Sequence, residues 1–347
     1  MRTPSKKDIR SEKIEDLESF FINNSEQKFR AKQVLDWIWA KSATSFDGMT
    51  NISVKTRELL QSHYEFYTLE LHKEQVSTDG TIKSAFRLHD GNIVEGVLIP
   101  HNDRMTACVS SQVGCSLTCK FCATGYMDRV RNLEPYEIYD QVVAVHNQAL
   151  KYYGKPLTNI VYMGMGEPLL NYQNVQKSID RITSPEGLHM SPKRITLSTA
   201  GVAKMIKKLA DDGVKHNLAL SLHAADDVKR NQIMPINESN TLEVLKDALM
   251  YFNNNTKNKI TLEYILFYNF NDSEADAMNL IKFARNLPVK VNIIEYNPIA
   301  EADFLNSDAD SLKKFSQILE RNQIVVNVRR SRGKDIDAAC GQLANKG

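Results

Sequence analysis

Between about residue 104 and residue 329 the chain alternates short β-branched runs with longer amphipathic segments, and this limits its fold more than any other feature. Strands are predicted at Thr106–Ser110, Asn159–Met163, Arg194–Ser198, Asn217–Leu222, Ile260–Leu266, Val289–Glu295 and Ile324–Arg329. Helices are predicted between them, at Pro135–Tyr152, Gln173–Ile182, Val202–Asp212, Leu242–Asn253, Ser273–Arg285 and Ala309–Glu320. Strand, helix, strand repeated six times demands parallel strands joined by helical crossovers, an α/β fold. An open doubly wound sheet and a full or partial barrel both fit that count. In either one, ligands gather at the carboxyl ends of the strands, so residues just past a strand carry the most information.

The first 65 residues read differently. Ile14–Asn23, Ala31–Lys41 and Ser53–Tyr64 place apolar residues at helical spacing, which predicts a small helical module. Residues 66–100 are strand-rich, with turn signals at Asp79-Gly80 and Asp90-Gly91 and a hairpin expected from Lys83–Leu88 and Ile93–Ile99. A net charge of +2 over 347 residues does not by itself announce a nucleic-acid partner. No apolar run approaches the roughly 20 residues of a membrane helix, and the polar start MRTPSKKDIRSEK has no signal-peptide core, so a cytoplasmic protein without a membrane partner is expected.

Three of the five cysteines fall within eight residues, in Gly114-Cys115-Ser-Leu-Thr-Cys119-Lys-Phe-Cys122, just after the first strand of the repeat. Such crowding points to metal or redox chemistry in a reducing compartment, not to a disulfide framework. Three thiolates can hold three irons of a [4Fe–4S] cluster and leave the fourth iron open. A zinc loop needs a fourth ligand that the neighbouring sequence does not supply. Buried inert cysteines are the remaining alternative.

Met163-Gly164-Met165-Gly166-Glu167-Pro168 follows the second strand. It reads either as a tight turn or as a place where backbone approaches a ligand and a carboxylate meets an ammonium group. Ser198, then Ser221-Leu222-His223, then Asn297 stand at later strand ends. Hydroxyl, imidazole and amide groups suit ribose, carboxylate and adenine recognition. Helix capping by Ser198 or Thr199 and a structural role for His223 are the plainer readings. Cys108 on the first strand and Cys340 in Arg332-Gly333-Lys334-Asp335-Ile-Asp337-Ala-Ala-Cys340-Gly341-Gln342-Leu343 look at first like ordinary thiols. Arg329, Arg330, Arg332 and Lys334 give Cys340 a positive setting that favours a thiolate.

The C-x3-C-x2-C spacing resembles that of the radical S-adenosylmethionine superfamily. Together, GCSLTCKFCATG, GMGEPLLN and RGKDIDAACGQL are similar to the RNA adenine-C2 methyltransferases of the RlmN type, over about residues 14 to 345. The related Cfr type methylates C8 of the same adenine and confers antibiotic resistance; Pro168-Leu-Leu sides with the C2 enzymes. The resemblance implies a partial (β/α)6 barrel with a helical accessory domain. The expected division is residues 1–65 (accessory, RNA-binding), 66–100 (hairpin extension), 101–333 (core barrel) and 334–347 (the segment carrying Cys340).

It also implies chemistry. A [4Fe–4S] cluster sits on Cys115, Cys119 and Cys122. The S-adenosylmethionine site is formed by Gly166, Glu167, Ser198, Ser221, Leu222, His223 and Asn297. Two S-adenosylmethionine molecules are used per turnover. One methylates Cys340 by displacement; the other is cleaved to a 5′-deoxyadenosyl radical that takes hydrogen from the new S-methyl group. The carbon radical adds to adenine C2, Glu95 removes the C2 proton, and Cys108 releases the protein–RNA adduct by attacking the sulfur of Cys340, leaving a transient disulfide. The implied partners are 23S rRNA near the peptidyl-transferase centre, tRNA beside the anticodon, and an electron donor such as flavodoxin.

From the residues alone, Glu95 is a polar residue on a half-buried strand. Lys120, Arg129, Arg131 and Arg329 to Lys334 are candidate phosphate contacts, and Lys28, Arg30, Lys32 and Trp37 a second set; a solvated helix face with Trp37 in the core fits the latter equally. Two further readings compete: a glycyl-radical activase, which has no use for the Cys108 and Cys340 pair, and a zinc-dependent RNA-binding module.

Overall fold

The computed structural model describes residues 6–345, so the first five residues of the expected accessory domain and the last two of the C-terminal segment lie outside the described residues. One ten-stranded sheet organises the chain. Its strands are β1 (Glu70–Val76), β2 (Ile82–Arg87), β3 (Ile93–His101), β4 (Arg104–Cys108), β5 (Asn159–Tyr162), β6 (Ile195–Thr199), β7 (Asn217–Ser221), β8 (Ile260–Ile265), β9 (Val289–Ile294) and β10 (Val325–Arg329). They lie side by side in sequence order. The first four pair antiparallel and β4 to β10 run parallel. A doubly wound sheet would reverse its order part-way. The unbroken order is that of a partial (β/α)6 barrel, and it brings seven parallel carboxyl ends to one mouth.

The crossovers are α4 (Pro135–Tyr153), α5 (Tyr172–Thr183), α6 (Ala203–Asp211), α8 (Leu242–Thr256), α9 (Glu274–Ala284) and α10 (Ala309–Arg321). Local chemistry fixes their starts. Pro135 occupies the first turn of α4, and Ser273 and Asp276 close a reciprocal cap on α9. An extra short helix, α7 (Asp227–Ile233), sits between β7 and α8. Ile160, Leu197, Leu218, Leu262 and Val291 from neighbouring strands are fully buried. Each such side chain contributes roughly 1.5–3 kcal/mol of burial.

The N-terminal module holds α1 (Ile14–Asn23), α2 (Arg30–Leu35) and α3 (Val54–His63). The helix expected over Ala31–Lys41 widens into a π turn at Asp36–Ala40, where Lys41 N–H bonds back to Asp36 O. The wider turn lets the adjacent Ile38 and Trp39 both enter the core. Arg10 fastens the module to the barrel: it holds Asp8 at 2.8 Å and Asp140 of α4 at 2.6 Å, with its guanidinium 4.5 Å from the Tyr136 ring.

β1 and β10 are the sheet's edges. The segment after β10 crosses between them: Gly333 N–H donates to Asp79 Oδ2 at 3.0 Å and Thr78 N–H to Asp335 Oδ2 at 3.0 Å. The turn joining β1 and β2 thus anchors the loop that leads to Cys340.

Candidate active site

The loop after β4 carries Cys115, Cys119 and Cys122. A two-residue ribbon, Gln112–Val113 against Arg131–Asn132, closes its base. Gly114 makes the entry possible: its φ is +73°, and a Cβ there would stand 2.0 Å from the Asp128 carbonyl oxygen. Lys120 N–H donates to Ile233 O at 2.9 Å, Ala123 N–H to Gly341 O at 2.7 Å and Thr124 Oγ1 to Leu343 O at 2.6 Å. The cysteine loop is therefore clamped between α7 and the loop of Cys340.

All three thiols line one cavity of about 160 Å³ at the strands' carboxyl ends. Burial raises Cys115 to about 11 and also raises Cys119 and Cys122; Cys122 adds to the rise at Cys115 and Cys119, and Cys340 to that at Cys122. Among the described residues no three acidic, cysteine or histidine side chains gather to hold a single metal ion. A cluster asks for a different arrangement, because each cysteine takes a separate iron at a separate corner. Three half-buried thiols facing one cavity fit that group, and bound irons would reverse the burial penalty on the thiolates.

The opposite wall is built from β5 to β7. Gly166 has φ +91°, and a Cβ would come within 2.5 Å of Gln112 Cβ. Gly166→Ala is accordingly expected to cost roughly 2 kcal/mol or more and to lower the melting temperature by several degrees. An unshifted thermal melt would contradict this reading of the turn. Glu167 Oε1 accepts from Leu169 N–H at 3.0 Å and Oε2 from Ala200 N–H at 2.8 Å. Burial raises this carboxyl to about 7, and no cation is among its partners. A ligand ammonium group placed in the cavity would supply the missing charge.

Ser198 and Ser221 face each other across β6 and β7 at 3.5 Å, and both line the cavity. Neither Ser198 nor Thr199 caps α6, whose N-cap is Val202: Thr199 Oγ1 accepts from Gly201 N–H at 3.0 Å in the preceding turn, and the first helical N–H, of Ala203, goes to Asn240 Oδ1 at 2.9 Å. His223 also lines the cavity and has positive φ. Its Nδ1 accepts from Ile265 N–H at 3.1 Å, so Nε2 carries the proton; burial and then Arg230 hold it neutral, down to about 3. Leu222 has its side chain in the core, and its carbonyl accepts from Arg230. Asn297 is buried behind the Cys340 loop, donating to Cys340 O at 3.1 Å, while its Oδ1 has no partner.

Cys108 and Cys340 come from opposite ends of the chain and line one adjoining cavity, with no disulfide between them. Cys340 is exposed, but toward this enclosed space. Burial raises its thiol and the Arg329 guanidinium opposes the rise. Cys108 is pushed up to about 12, by burial and then by Cys340. Cys122, Gly164, Ile294 and Arg329 line both cavities, so the cysteine loop and the two further thiols share one chamber.

Glu95 does not line it. Its carboxylate accepts from Ala344 N–H at 2.9 Å and Asn345 N–H at 3.2 Å and stands 3.4 Å from Lys83 Nζ. Arg131, expected to meet phosphate, is instead held by Glu137 at 2.7 Å and by Asp90 at 2.6 Å. A guanidinium held on both sides has little left to offer a phosphate. Lys334 is paired with Glu295 at 2.6 Å.

Glu263 was not anticipated from the sequence. It reaches the cavity from the middle of β8, accepts from Asn292 Nδ2 at 2.8 Å and faces Arg329 at 3.5 Å. A carboxylate inside the run ITLEYI was the available signal. Arg230 was also missed, and nothing in DDVKRNQI sets it apart from Lys229.

Two family models match the chain. The ribosomal RNA large subunit methyltransferase N-terminal domain matches residues 8–66, and the radical SAM superfamily matches residues 109–281. A Cytophaga hutchinsonii protein named "Probable dual-specificity RNA methyltransferase RlmN" is 63% identical over 98% of this chain and 93% of its own. A Thermotoga maritima protein of the same name is 42% identical over 96% of each. The crystal structure of a radical SAM methyltransferase from Sphaerobacter thermophilus superimposes with a TM-score of 0.91 at 38% identity, covering 97% of this chain and 99% of that one.

Proposed function

Because the chain belongs to the RlmN family of radical S-adenosylmethionine RNA methyltransferases, we propose that it methylates C2 of adenosine in 23S rRNA and in tRNA. The observation that carries this reading is the shared chamber: Cys108 and Cys340 line a cavity that Cys122 of the three-cysteine loop lines as well. An ordinary methyltransferase needs neither thiol. Adenine C2 is electron-poor and no nucleophile, so a sulfonium methyl group cannot be passed to it directly.

Cys115, Cys119 and Cys122 would hold a [4Fe–4S] cluster. With S-adenosylmethionine bound, it supplies one-electron chemistry that ends in a carbon-centred radical. The protein's own groups do the rest. Glu167, Ser198, Ser221 and His223 face the cofactor from β5 to β7, Gly166 lets the backbone close on it, Leu222 packs behind that wall, and Asn297, past β9, holds the Cys340 carbonyl. Cys340, with Arg329 favouring its thiolate, accepts a methyl group from one S-adenosylmethionine, and a second molecule serves radical formation. Once the RNA adduct has given up one electron to the iron–sulfur site and its C2 proton, Cys108 attacks the Cys340 sulfur. An S–S bond forms, the bond from that sulfur to the RNA-borne methylene breaks, the methylene takes up a proton to become the methyl group, and a thiol reductant returns the disulfide to two thiols. The donor of the electron is a protein of the flavodoxin class.

Residues 1–65 serve as the RNA-facing accessory unit, 66–100 as the extension that anchors the catalytic loop, 101–333 as the core and 334–347 as the methyl carrier. No helix among the described residues is long and apolar enough to cross a membrane, which agrees with a cytoplasmic enzyme.

Glu95 is the proposed base, and its present hydrogen bonds set a condition. The Ala344–Asn345 backbone must let go before the carboxylate can take a proton. Glu95→Gln keeps the shape but cannot accept the proton, so product formation is expected to fall about 10²–10⁴-fold. An unchanged rate would remove Glu95 from the chemistry.

The test is direct. Anaerobically reconstituted protein is incubated with reductant, S-adenosylmethionine and protein-free ribosomal RNA, and the digested RNA is read by mass spectrometry. 2-Methyladenosine is the expected product. 8-Methyladenosine would move the enzyme to the Cfr type. No methyladenosine, with 5′-deoxyadenosine still formed, would overturn the substrate.

A further inference from the structure

Arg230 on α7 is completely buried, at 0% exposure. Its Nε donates to Leu222 O at 3.1 Å, Nη2 to Ala200 O at 2.6 Å and Ser221 O at 3.2 Å, and Nη1 to Asn237 Oδ1 at 2.7 Å. Every acceptor is neutral. Burying a full charge among carbonyls and an amide is costly unless an opposite charge stands near. Burial brings this guanidinium down to about 10, which leaves it charged at neutral pH. Asp227 acts on it at longer range, and so does Cys119.

The C-terminal end of α7, three residues beyond Arg230, joins the cysteine loop. Ile233 O receives the Lys120 N–H. Ile233 and Met234 pack with Phe121, and Cys119 and Cys122 lie against the same apolar group. Each of the acceptors of Arg230 is neutral and would be satisfied by any N–H donor, so the individual hydrogen bonds do not themselves require the charge. Asp227 lies one residue further out: Asn237 Nδ2 donates to its Oδ1 at 2.8 Å, so this carboxylate meets the guanidinium only through the amide.

We propose that Arg230 is the counter-charge of the three-cysteine loop and sets the reduction potential of the cluster held there. This rests on the reading that Cys115, Cys119 and Cys122 hold a [4Fe–4S] cluster. Arg230 touches neither the irons nor the RNA; it is a positioning residue that acts through Cys119. When the cluster is reduced it gains one electron from a low-potential one-electron donor, and its net charge falls by one. A fixed positive charge in a poorly screened interior favours that more negative state. The cluster is thereby brought within reach of the donor.

The test compares the full-length wild-type protein with Arg230→Gln and Arg230→Lys, reconstituted anaerobically. Iron and sulfide are counted first, and the midpoint potential is then read by an EPR-monitored redox titration. Arg230→Gln, which keeps donors but loses the charge, is expected to shift the potential to more negative values at full iron content. Arg230→Lys is expected to stay close to wild type. An unmoved or more positive potential in a fully loaded Arg230→Gln protein overturns the proposal. A wild-type protein that binds no iron–sulfur cluster overturns both this proposal and the ligand assignment beneath it. Should Arg230→Gln lose its cluster, Asp227→Asn removes the carboxylate that acts on the same guanidinium and keeps an acceptor for the Leu242 N–H. It is expected to shift the potential to more positive values, and an unchanged value there overturns the proposal.

Discussion

Cys119→Ala is expected to yield a folded protein with background iron and no methyladenosine product. The thiol is half-buried against Phe121, Ile233 and Met234, so shortening it to a methyl group leaves a small void and costs on the order of 1 kcal/mol. The loop does not depend on it. Lys120, Ala123 and Thr124 fasten the loop to α7 and to the Cys340 segment through bonds that do not use the Cys119 sulfur. Two remaining thiols leave two irons of a cubane without protein ligands, and the assembly is lost. Iron and sulfide analysis beside a circular-dichroism melt checks both halves. Full iron content would refute the ligand assignment, and a cooperative melt lost altogether would refute the claim that the loop is independently held.

Cys108→Ala is expected to convert a multiple-turnover enzyme into one that stops after a single RNA, with the RNA still attached through Cys340. Cys108 ends β4 with its side chain in the same cavity as Cys340, and it is the only other thiol there besides Cys122. Alanine removes the attacking sulfur without disturbing the Cys340 loop, which is held by Asn297, Gln342 and Glu95. A protein band carrying RNA on a denaturing gel, lost on nuclease digestion, reports the adduct. Free protein together with normally methylated RNA would take Cys108 out of the reaction. The raised thiol of Cys108, about 12, adds a condition: the sulfur becomes a competent attacker only when a base or a nearby cation helps its proton leave.

Much of this was legible in the sequence because the signals were local. The alternation of β-branched and amphipathic runs gave the parallel sheet, and turn residues gave the β2–β3 hairpin. Three cysteines in one loop pointed to a cluster without any structure. What escaped has a common physical cause. β1 reads ELHKEQV, a charged edge strand whose partner, not its own composition, makes it a strand. α7 is too short for helical periodicity to show. Arg230 and Glu263 matter because of what folding places around them, and a buried charge looks like a surface charge in one dimension. Arg131 illustrates the converse: beside the cysteine loop it reads as a phosphate contact, but Glu137 in the first turn of α4 and Asp90 from the β2–β3 turn occupy it.

The cysteine loop is completed by residues made long after it. Thr124 waits for Leu343, 219 positions later, and Ala123 waits for Gly341. On the ribosome, the barrel strands and α7 can pair while that partner segment has yet to emerge. For all of that interval the three thiols lack one wall of their chamber. The loop that would hold the cluster and the segment that carries the methyl-accepting cysteine are therefore finished in one docking event, late in folding.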